Sequence, residues 1–215
     1  MFQATHLIGF GAKRAALGGL NYTTWDSALG GTNITLSGGD LTFNQTSGTT
    51  GGSTRSSLGL SSGKFYFELT VGTSLASANS FVGVTTGAYN QIVSLATSGA
   101  DDWWYDDSGR LNNGGSPAEV TGETVWTAST NVVGVAVDTA TGKIWFKDKN
   151  GAWLTASSDA DVASGNNPDF TAGAGTFYAI AGHLSGSNNS NTCTANFGAS
   201  AWSHSAPSGF TGLGS

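Results

Sequence analysis

The densest group of residues that could do chemistry is an acidic and aromatic run, DDWWYDD, at residues 101–107. Its four carboxylates and three aromatic rings are the side chains that a Ca²⁺ site uses, or a site that binds or cleaves sugars. The run does not match an EF-hand, because the D-x-[DN]-x-[DN]-G spacing with a distal glutamate is absent. Three interpretations follow: a structural hairpin with solvated acids, part of a ligand or partner surface, or a metal or catalytic centre.

Candidate contact residues come from this run and from predicted loops. Of the seven tryptophans, Trp104 and Trp126 are the two that we expect at exposed loop ends. We expect Trp25, Trp145 and Trp153 in the core, because large aromatic side chains dominate packing. The candidate ligand- or partner-binding residues are Asp102, Trp104, Asp106, Asp107, Trp126, Asn188 and Asn189.

The histidines, the cysteine and the serines do not form a recognisable catalytic or metal-binding motif. His6, His183 and His204 lie far apart in the sequence and only one cysteine accompanies them, so no zinc constellation is predicted. A Ser-His-Asp triad stays open in so serine-rich a chain, but the G-x-S-x-G elbow is absent. We therefore predict a non-enzymatic protein with no catalytic residue, no metal site and no cofactor.

Charge and hydropathy exclude two classes of partner. The 215 residues include only eight Lys and Arg, scattered along the chain, and the net charge is −6. Neutralising phosphates needs clustered basic residues, so nucleic-acid binding is not expected. No run of 18 or more apolar residues occurs, so membrane insertion is not expected. The single cysteine, Cys193, cannot form an intramolecular disulfide and is predicted to be a small core residue.

Alternating hydrophobicity predicts strands. In GKFYFELTV, residues 63–71, every second side chain from Phe65 is apolar, which indicates a half-buried strand. Residues 132–153 contain two apolar runs joined through Gly142, the pattern of a β-hairpin. The inward residues of these strands should be Phe65, Phe67, Val133, Val135 and Phe146.

Further strands and loops complete the predicted all-β fold. Residues 176–183 and 192–197 alternate in the same way and predict a second hairpin, whereas residues 45–54 are almost wholly Ser, Thr and Gly and predict a loop. Residues 87–99 fit either a short helical turn or an irregular strand. Antiparallel strands with helix-poor connections predict a β-sandwich of two packed sheets.

The N-terminal residues differ in composition from the rest of the chain. Residues 1–20 lack acidic residues and combine an apolar patch with a basic pair. They are either a loose terminus or edge strand, or a docking arm that orders on a neighbouring subunit. We divide the chain into an extended N-terminal docking arm, 1–20, and a β-sandwich domain, 21–215. The residues assigned to assembly through the arm are Leu7, Ile8, Phe10, Lys13 and Arg14.

An ordered set of short motifs resembles the SPRY/B30.2 family, a concanavalin-like β-sandwich. The set spans residues 25–213, and its matching segments are SGKFYFE at 62–68, VGV at 82–84, WYD at 104–106, VVGVAVD at 132–138, KDKNG at 147–151, ANFG at 195–198 and PSGF at 207–210. The resemblance implies a binding scaffold whose loops at one end hold a protein or peptide, with no common catalytic residues. The polar, lysine-poor style is similar to SPRY-like domains of bacteriophage structural proteins.

Three functional hypotheses follow from the resemblance and the composition. The first is a bacteriophage virion protein of the head or tail, made in the host cytoplasm, which anchors to other virion proteins through residues 1–20. It would act as a homo-oligomer or part of a larger assembly and present its domain to a host-surface protein or glycan. The alternatives are a lectin-like carbohydrate-binding module using loops 89–113 and 185–191, and a cellular SPRY adaptor that binds a peptide.

Overall fold

A computed structural model describes most of the predicted sandwich domain. The described residues are 22–31, 33–45, 51–72, 80–87, 99–114, 116–119, 125–184 and 192–214, with the backbone alone for 116–119. The predictions for the docking arm, for residues 88–98 and for the 185–191 loop lie outside these residues. The candidate residues outside them are Leu7, Ile8, Phe10, Lys13, Arg14, Asn188 and Asn189.

The described strands form two sheets, which confirms the predicted all-β sandwich. In spatial order, the larger sheet contains β1 (Ile34–Ser37), β2 (Thr42–Gln45), β13 (Thr192–Asn196), β4 (Lys64–Val71), β9 (Val132–Asp138), β10 (Lys143–Lys147) and β11 (Phe170–Thr171). A short strand, β14 (Thr211–Gly212), pairs with β4 in parallel. The smaller sheet contains β3 (Gly52–Arg55), β12 (Tyr178–His183), β5 (Ser80–Thr85), β6 (Asp102–Asp106), β7 (Arg110–Asn113) and β8 (Ser116–Glu119). The neighbours in these two orders are antiparallel.

The main core lies between the two sheets and is built by the predicted alternation. All five predicted inward residues belong to this core and are fully buried. Cys193 is also buried there, as predicted. The β9–β10 hairpin forms as predicted, and Gly142 in its turn has a φ of +67°. A Cβ at Gly142 would lie 2.0 Å from the carbonyl oxygen of Gly173, so only glycine allows this close approach.

Strand β4 is buried on both faces over part of its length, which corrects the half-buried prediction. Tyr66 and Glu68 point away from the main core but have only 0% and 1% exposure. A second apolar cluster on this outer face includes Tyr66, Trp145, Trp153 and Phe210. Trp145 and Trp153 are therefore buried, as predicted, but in an outer layer rather than between the sheets.

The predicted second hairpin is wrong, because its two strands belong to different sheets. Strand β12 pairs with β3 and β5, whereas β13 pairs with β2 and β4. Each strand places its apolar residues against the same core from opposite sides. Sequence alternation identifies the buried face of each strand but not its partner, so the two arrangements look alike in the sequence.

Two smaller differences from the predictions concern residues 45–54 and the outer layer. Strand β3 begins at Gly52, so the predicted loop is shorter at its C-terminal end. A short helix, α1 (Asp159–Ala163), begins after the N-cap Ser158, whose side chain accepts a hydrogen bond from the Asp161 nitrogen.

Among the described residues, no helix is long and apolar enough to cross a membrane.

Candidate binding cleft

The acidic run is held by hydrogen bonds from its own chain. The Asp106 side chain is fully buried and ends β6. Its Oδ1 accepts from the backbone nitrogens of Ser108 and Arg110 at 3.0 and 2.9 Å, and its Oδ2 accepts from Arg110 Nε at 2.7 Å. Desolvation raises the pKa of Asp106, although the bonds from Arg110 and Ser108 oppose the shift. Asp106 therefore closes the β6–β7 turn.

Two other acids of this run, Asp102 and Asp107, also accept hydrogen bonds from the backbone. Asp102 Oδ2 accepts from the Gly99 nitrogen at 2.7 Å, and burial raises the pKa of Asp102. Asp107 Oδ2 accepts from the Ser80 nitrogen at 3.0 Å and joins the start of β5 to the end of β6. Among the described residues, no group of three or more His, Cys, Asp and Glu side chains is placed to hold a metal ion. These contacts favour the structural-hairpin interpretation of the run, but Asp102, Asp106 and Asp107 are buried and not solvated as that interpretation expected.

The prediction that Trp104 and Trp126 lie at exposed loop ends is wrong, because both side chains have 0% exposure. Trp104 packs on the outer face of the smaller sheet with Phe81, at a ring-centroid distance of 4.9 Å. Trp126 packs against Tyr105 in the main core. The ligand- or partner-binding role assigned to Trp104 and Trp126, and to Asp102, Asp106 and Asp107, stays a prediction. Their burial means that a direct contact would require the fold to open.

A buried serine and a buried histidine lie next to each other at the start of β5. Ser80 Oγ and His183 Nδ1 are 2.6 Å apart, and both residues are almost fully buried. The His183 ring packs on Phe43, and its Nε2 has no hydrogen-bond partner among the described residues. Desolvation lowers the pKa of His183 to about 4. The imidazole is therefore neutral near pH 7, and the side chain is fully buried.

An ion pair between a buried lysine and a partly exposed aspartate connects the outer layer to the larger sheet. Lys147 Nζ lies 2.9 Å from Asp159 Oδ1 and donates to the Ser205 carbonyl oxygen at 2.5 Å. Trp153 Nε1 also donates to Asp159 Oδ1. Burial acts to raise the pKa of Asp159, but hydrogen bonds from Ser205, Lys147 and Trp153 outweigh it and lower this pKa. The pair ties α1 and the C-terminal segment to β10.

A cleft of about 200 Å³ opens beside this outer layer. Its floor includes Thr70 of β4 and Thr194 of β13, which lie on adjacent strands. Thr194 Oγ1 shares a 2.8 Å hydrogen bond with Thr42 Oγ1 of β2. The cleft is therefore floored by threonine side chains that the sheet itself holds in position.

Two buried or half-buried polar side chains fix the rim of the cleft. Glu68 Oε1 accepts from the His204 nitrogen at 2.7 Å, and Oε2 accepts from the Ser203 nitrogen at 2.8 Å. Asn196 Nδ2 donates to the carbonyl oxygens of Ser200 and Ala201 at 3.2 and 3.0 Å. Both residues belong to sheet strands, so the 197–204 rim is tied to the sheet at two points.

Tyr22 forms an aromatic wall of the cleft. Its ring lies against two glycines, because a Cβ at Gly198 or Gly212 would approach the Tyr22 ring to 2.7 or 2.6 Å. A larger residue would also meet backbone atoms, because the added Cβ lies 2.7 Å from the Gly212 Cα at Gly198 and 2.3 Å from the Phe197 carbonyl oxygen at Gly212. Leu41 and Ser200 complete the nearby lining. The cleft thus combines an aromatic ring, hydroxyls and a small apolar surface.

The cleft was missed in the sequence. Thr70 and Thr194 occupy the polar positions of correctly predicted alternating strands, and this was the available signal. Thr42, Thr70 and Thr194 come together only because β2, β13 and β4 are neighbours. The sequence carries no local mark of that order.

Two packed antiparallel sheets with these connections define a SPRY-like β-sandwich. Solved structures similar to this chain include the SPRY domain of human HERC1, with a TM-score of 0.57 and 16% identity over 80% of this chain and 96% of that one. The TRIM65 PSpry domain gives a TM-score of 0.51 and 14% identity, over 82% of this chain and 92% of that one. Stonustoxin gives 0.54 and 17%, over 82% of this chain but only 27% of the toxin. No protein-family model and no curated protein sequence matches the chain.

Proposed function

We propose that this chain is a non-enzymatic binding module of a bacteriophage particle. The carrying observation is the contrast between its acids and its cleft. The acids Asp102, Asp106 and Asp107 are occupied by the chain's own turns, whereas the cleft on the larger sheet is preformed. A preformed surface without reactive groups suits recognition, because it loses little conformational entropy when a ligand binds.

The SPRY-like fold supports the binding role, because SPRY-like domains hold protein partners. A fold alone does not fix a function, so the proposal also rests on the cleft and on the composition of residues 1–20. In this proposal residues 1–20 anchor the chain to other virion proteins of a head or tail, as a homo-oligomer or part of a larger assembly. The protein is made in the host cytoplasm and leaves the cell as part of the particle.

The test is incorporation into particles. The full-length chain and a variant lacking residues 2–19 are expressed separately in host cells infected with a phage whose own copy of the gene is deleted. The purified particles are analysed by quantitative mass spectrometry, and the fold of each protein is checked by circular dichroism. We expect the full-length chain in the particles, and at least a tenfold lower amount of a folded truncation.

Two outcomes would contradict the proposal at different points. Absence of the full-length chain from the particles would refute the virion role. Equal incorporation of the truncated chain would refute the assignment of residues 1–20 as the anchor. A matched control replaces Lys13 and Arg14 by Gln while keeping Leu7, Ile8 and Phe10, and it separates a charge contribution from an apolar one.

A further inference from the structure

We propose that the cleft on the larger sheet binds one neutral sugar residue of a glycan. The inference rests on the proposed binding function and adds the chemical class of the ligand. The site differs from the 89–113 and 185–191 loops that the sequence suggested for a lectin. It lies on the outer face of β13 and β4, beside the layer held by Lys147 and Asp159.

The charge of the cleft favours a neutral ligand. Glu68 is the charged residue among its described lining, with 1% exposure. Its two oxygens accept hydrogen bonds from the Tyr66 hydroxyl, the His204 nitrogen and the Ser203 nitrogen. The carboxylate is therefore committed to the rim. The lining offers neither a basic group for an anion nor an open carboxylate for a cation, which favours a neutral ligand.

The hydroxyl groups on the floor of the cleft can form hydrogen bonds with a sugar. A hydroxyl offers one donor and two acceptor positions, and the bond between Thr194 and Thr42 uses only one position on each oxygen. The Thr194 hydroxyl therefore keeps hydrogen-bonding capacity, and Thr70 and Ser203 add hydroxyl groups around it. Sugar hydroxyls both donate and accept hydrogen bonds. A cleft lined by hydroxyl groups therefore matches a sugar better than it matches an aliphatic ligand group.

The aromatic wall and the volume of the cleft suit one sugar ring. The partly buried Tyr22 ring lies against Gly198 and Gly212, so it is held without filling the cleft. Aromatic rings are amphipathic surfaces with an apolar face, which suits the C–H face of a pyranose. Sites for drug-sized ligands measure about 300–1,000 Å³. The cleft, at about 200 Å³, suits a single ring at the end of a glycan.

The test uses the full-length chain and four simple probes. The methyl glycosides of glucose, galactose, mannose and N-acetylglucosamine are titrated while amide NMR shifts are recorded. We expect one of them to bind with a Kd near 1 mM and to shift the signals of Thr194, Thr70 and Ser203. Thr194→Val removes one hydroxyl at nearly constant shape, and we expect about tenfold weaker binding. Tyr22→Ala should weaken binding by at least as much.

Matched controls keep the result interpretable. Thr35→Val makes the same chemical change on the exposed face of β1, outside the cleft, and binding should be unchanged. Shifts confined to other residues, or equal Kd values for Thr194→Val and Thr35→Val, would overturn the proposal. No binding to any probe up to 50-fold above the expected Kd would do the same.

Failure of this inference is distinguishable from failure of the proposed function. Thr194→Val should enter particles as efficiently as the unchanged chain, because it leaves residues 1–20 intact. The variant lacking residues 2–19 should keep sugar affinity while losing incorporation. A chain that is incorporated but binds no sugar would refute the sugar site and leave the virion role standing.

Discussion

Replacing the buried histidine should remove a large pH dependence from the stability of this protein. His183 is fully buried, its Nδ1 lies 2.6 Å from Ser80 Oγ, and its Nε2 has no partner among the described residues. Burial lowers its pKa from 6.5 to about 4. Between these values the unfolded chain binds a proton that the folded chain excludes, so the free energy of unfolding falls as the pH falls from 6.5 towards 4.

The size of this loss follows from the separation of the two pKa values. One pH unit of separation corresponds to about 1.4 kcal/mol, so the full loss is about 3 kcal/mol. Asp102 and Asp106 act in the opposite direction, because burial raises their pKa values and the folded chain then gains protons first as the pH falls. A single pH profile mixes these contributions, so the unchanged protein must be compared with a variant.

The assay is urea unfolding followed by tryptophan fluorescence at pH 7, 6, 5 and 4.5. His183→Asn keeps a polar group near Ser80 but cannot titrate. We expect the stability difference between the unchanged protein and the variant to shrink by about 2–3 kcal/mol between pH 7 and 4.5. A difference that stays constant within about 0.5 kcal/mol, the usual scale of additivity errors, would refute the reasoning.

Ser80→Ala supplies the matched control for this experiment. It removes the hydroxyl that meets His183 Nδ1, and leaving a buried ring nitrogen without its partner should cost about 1–3 kcal/mol. The low pKa of His183 comes from burial rather than from this bond. The variant should therefore be less stable at every pH while keeping the pH slope of the unchanged protein. Loss of that slope would assign the low pKa to the hydrogen bond instead.

Three further predictions concern the outer layer, a sheet contact and the acidic run. Asp159→Asn leaves the ammonium of Lys147, which is 2% exposed, without its counterion and should lower the free energy of unfolding by about 2–4 kcal/mol. Lys147→Met should lower it by less. Urea unfolding that gives the reverse order would contradict this prediction. Gly83→Ala would place a Cβ 2.1 Å from a carbonyl oxygen of β6 and should lower the free energy of unfolding by at least about 3 kcal/mol. The control Gly30→Ala, whose added Cβ has its nearest contact at 3.9 Å, should change the melting temperature little. Asp106→Ala removes the acceptor of four hydrogen bonds at the β6–β7 turn and should cost about 3 kcal/mol. Sugar affinity at pH 7 should not change, and a folded variant that loses affinity would place the acidic run in the binding surface.

The sequence predicted the parts of the fold that depend on local periodicity. Phe65 and Phe67 alternate with polar neighbours, and Gly142 marks a turn, so β4 and the β9–β10 hairpin could be placed correctly. Periodicity did not predict the second apolar cluster, which buries the outer face of β4. Tyr66 and Glu68 carry polar atoms, and their burial depends on α1 and the C-terminal segment, which lie about 90 and 140 residues away along the chain.

The candidate site was harder to predict for the same reason. Asp106 and Trp104 belong to a run whose composition is typical of a sugar or metal site. Asp106 instead accepts hydrogen bonds that close a turn, and Trp104 packs on the outer face of the smaller sheet. The composition of a segment does not reveal which backbone nitrogens need an acceptor. Thr70 and Thr194 form one surface only because β13 inserts between β2 and β4. That insertion depends on packing across the whole domain.

The separation of β12 and β13 into different sheets has a consequence for how the protein is made. Strand β2 completes its pairing with β13, and Thr42 meets Thr194, 152 residues later in the chain. Strand β3 likewise waits for β12. Until the ribosome has released residues 178–196, β2 and β3 each expose an unpaired edge that can pair with other chains. Such long-range pairing is slow to form, so synthesis at low temperature or with chaperones should raise the soluble yield.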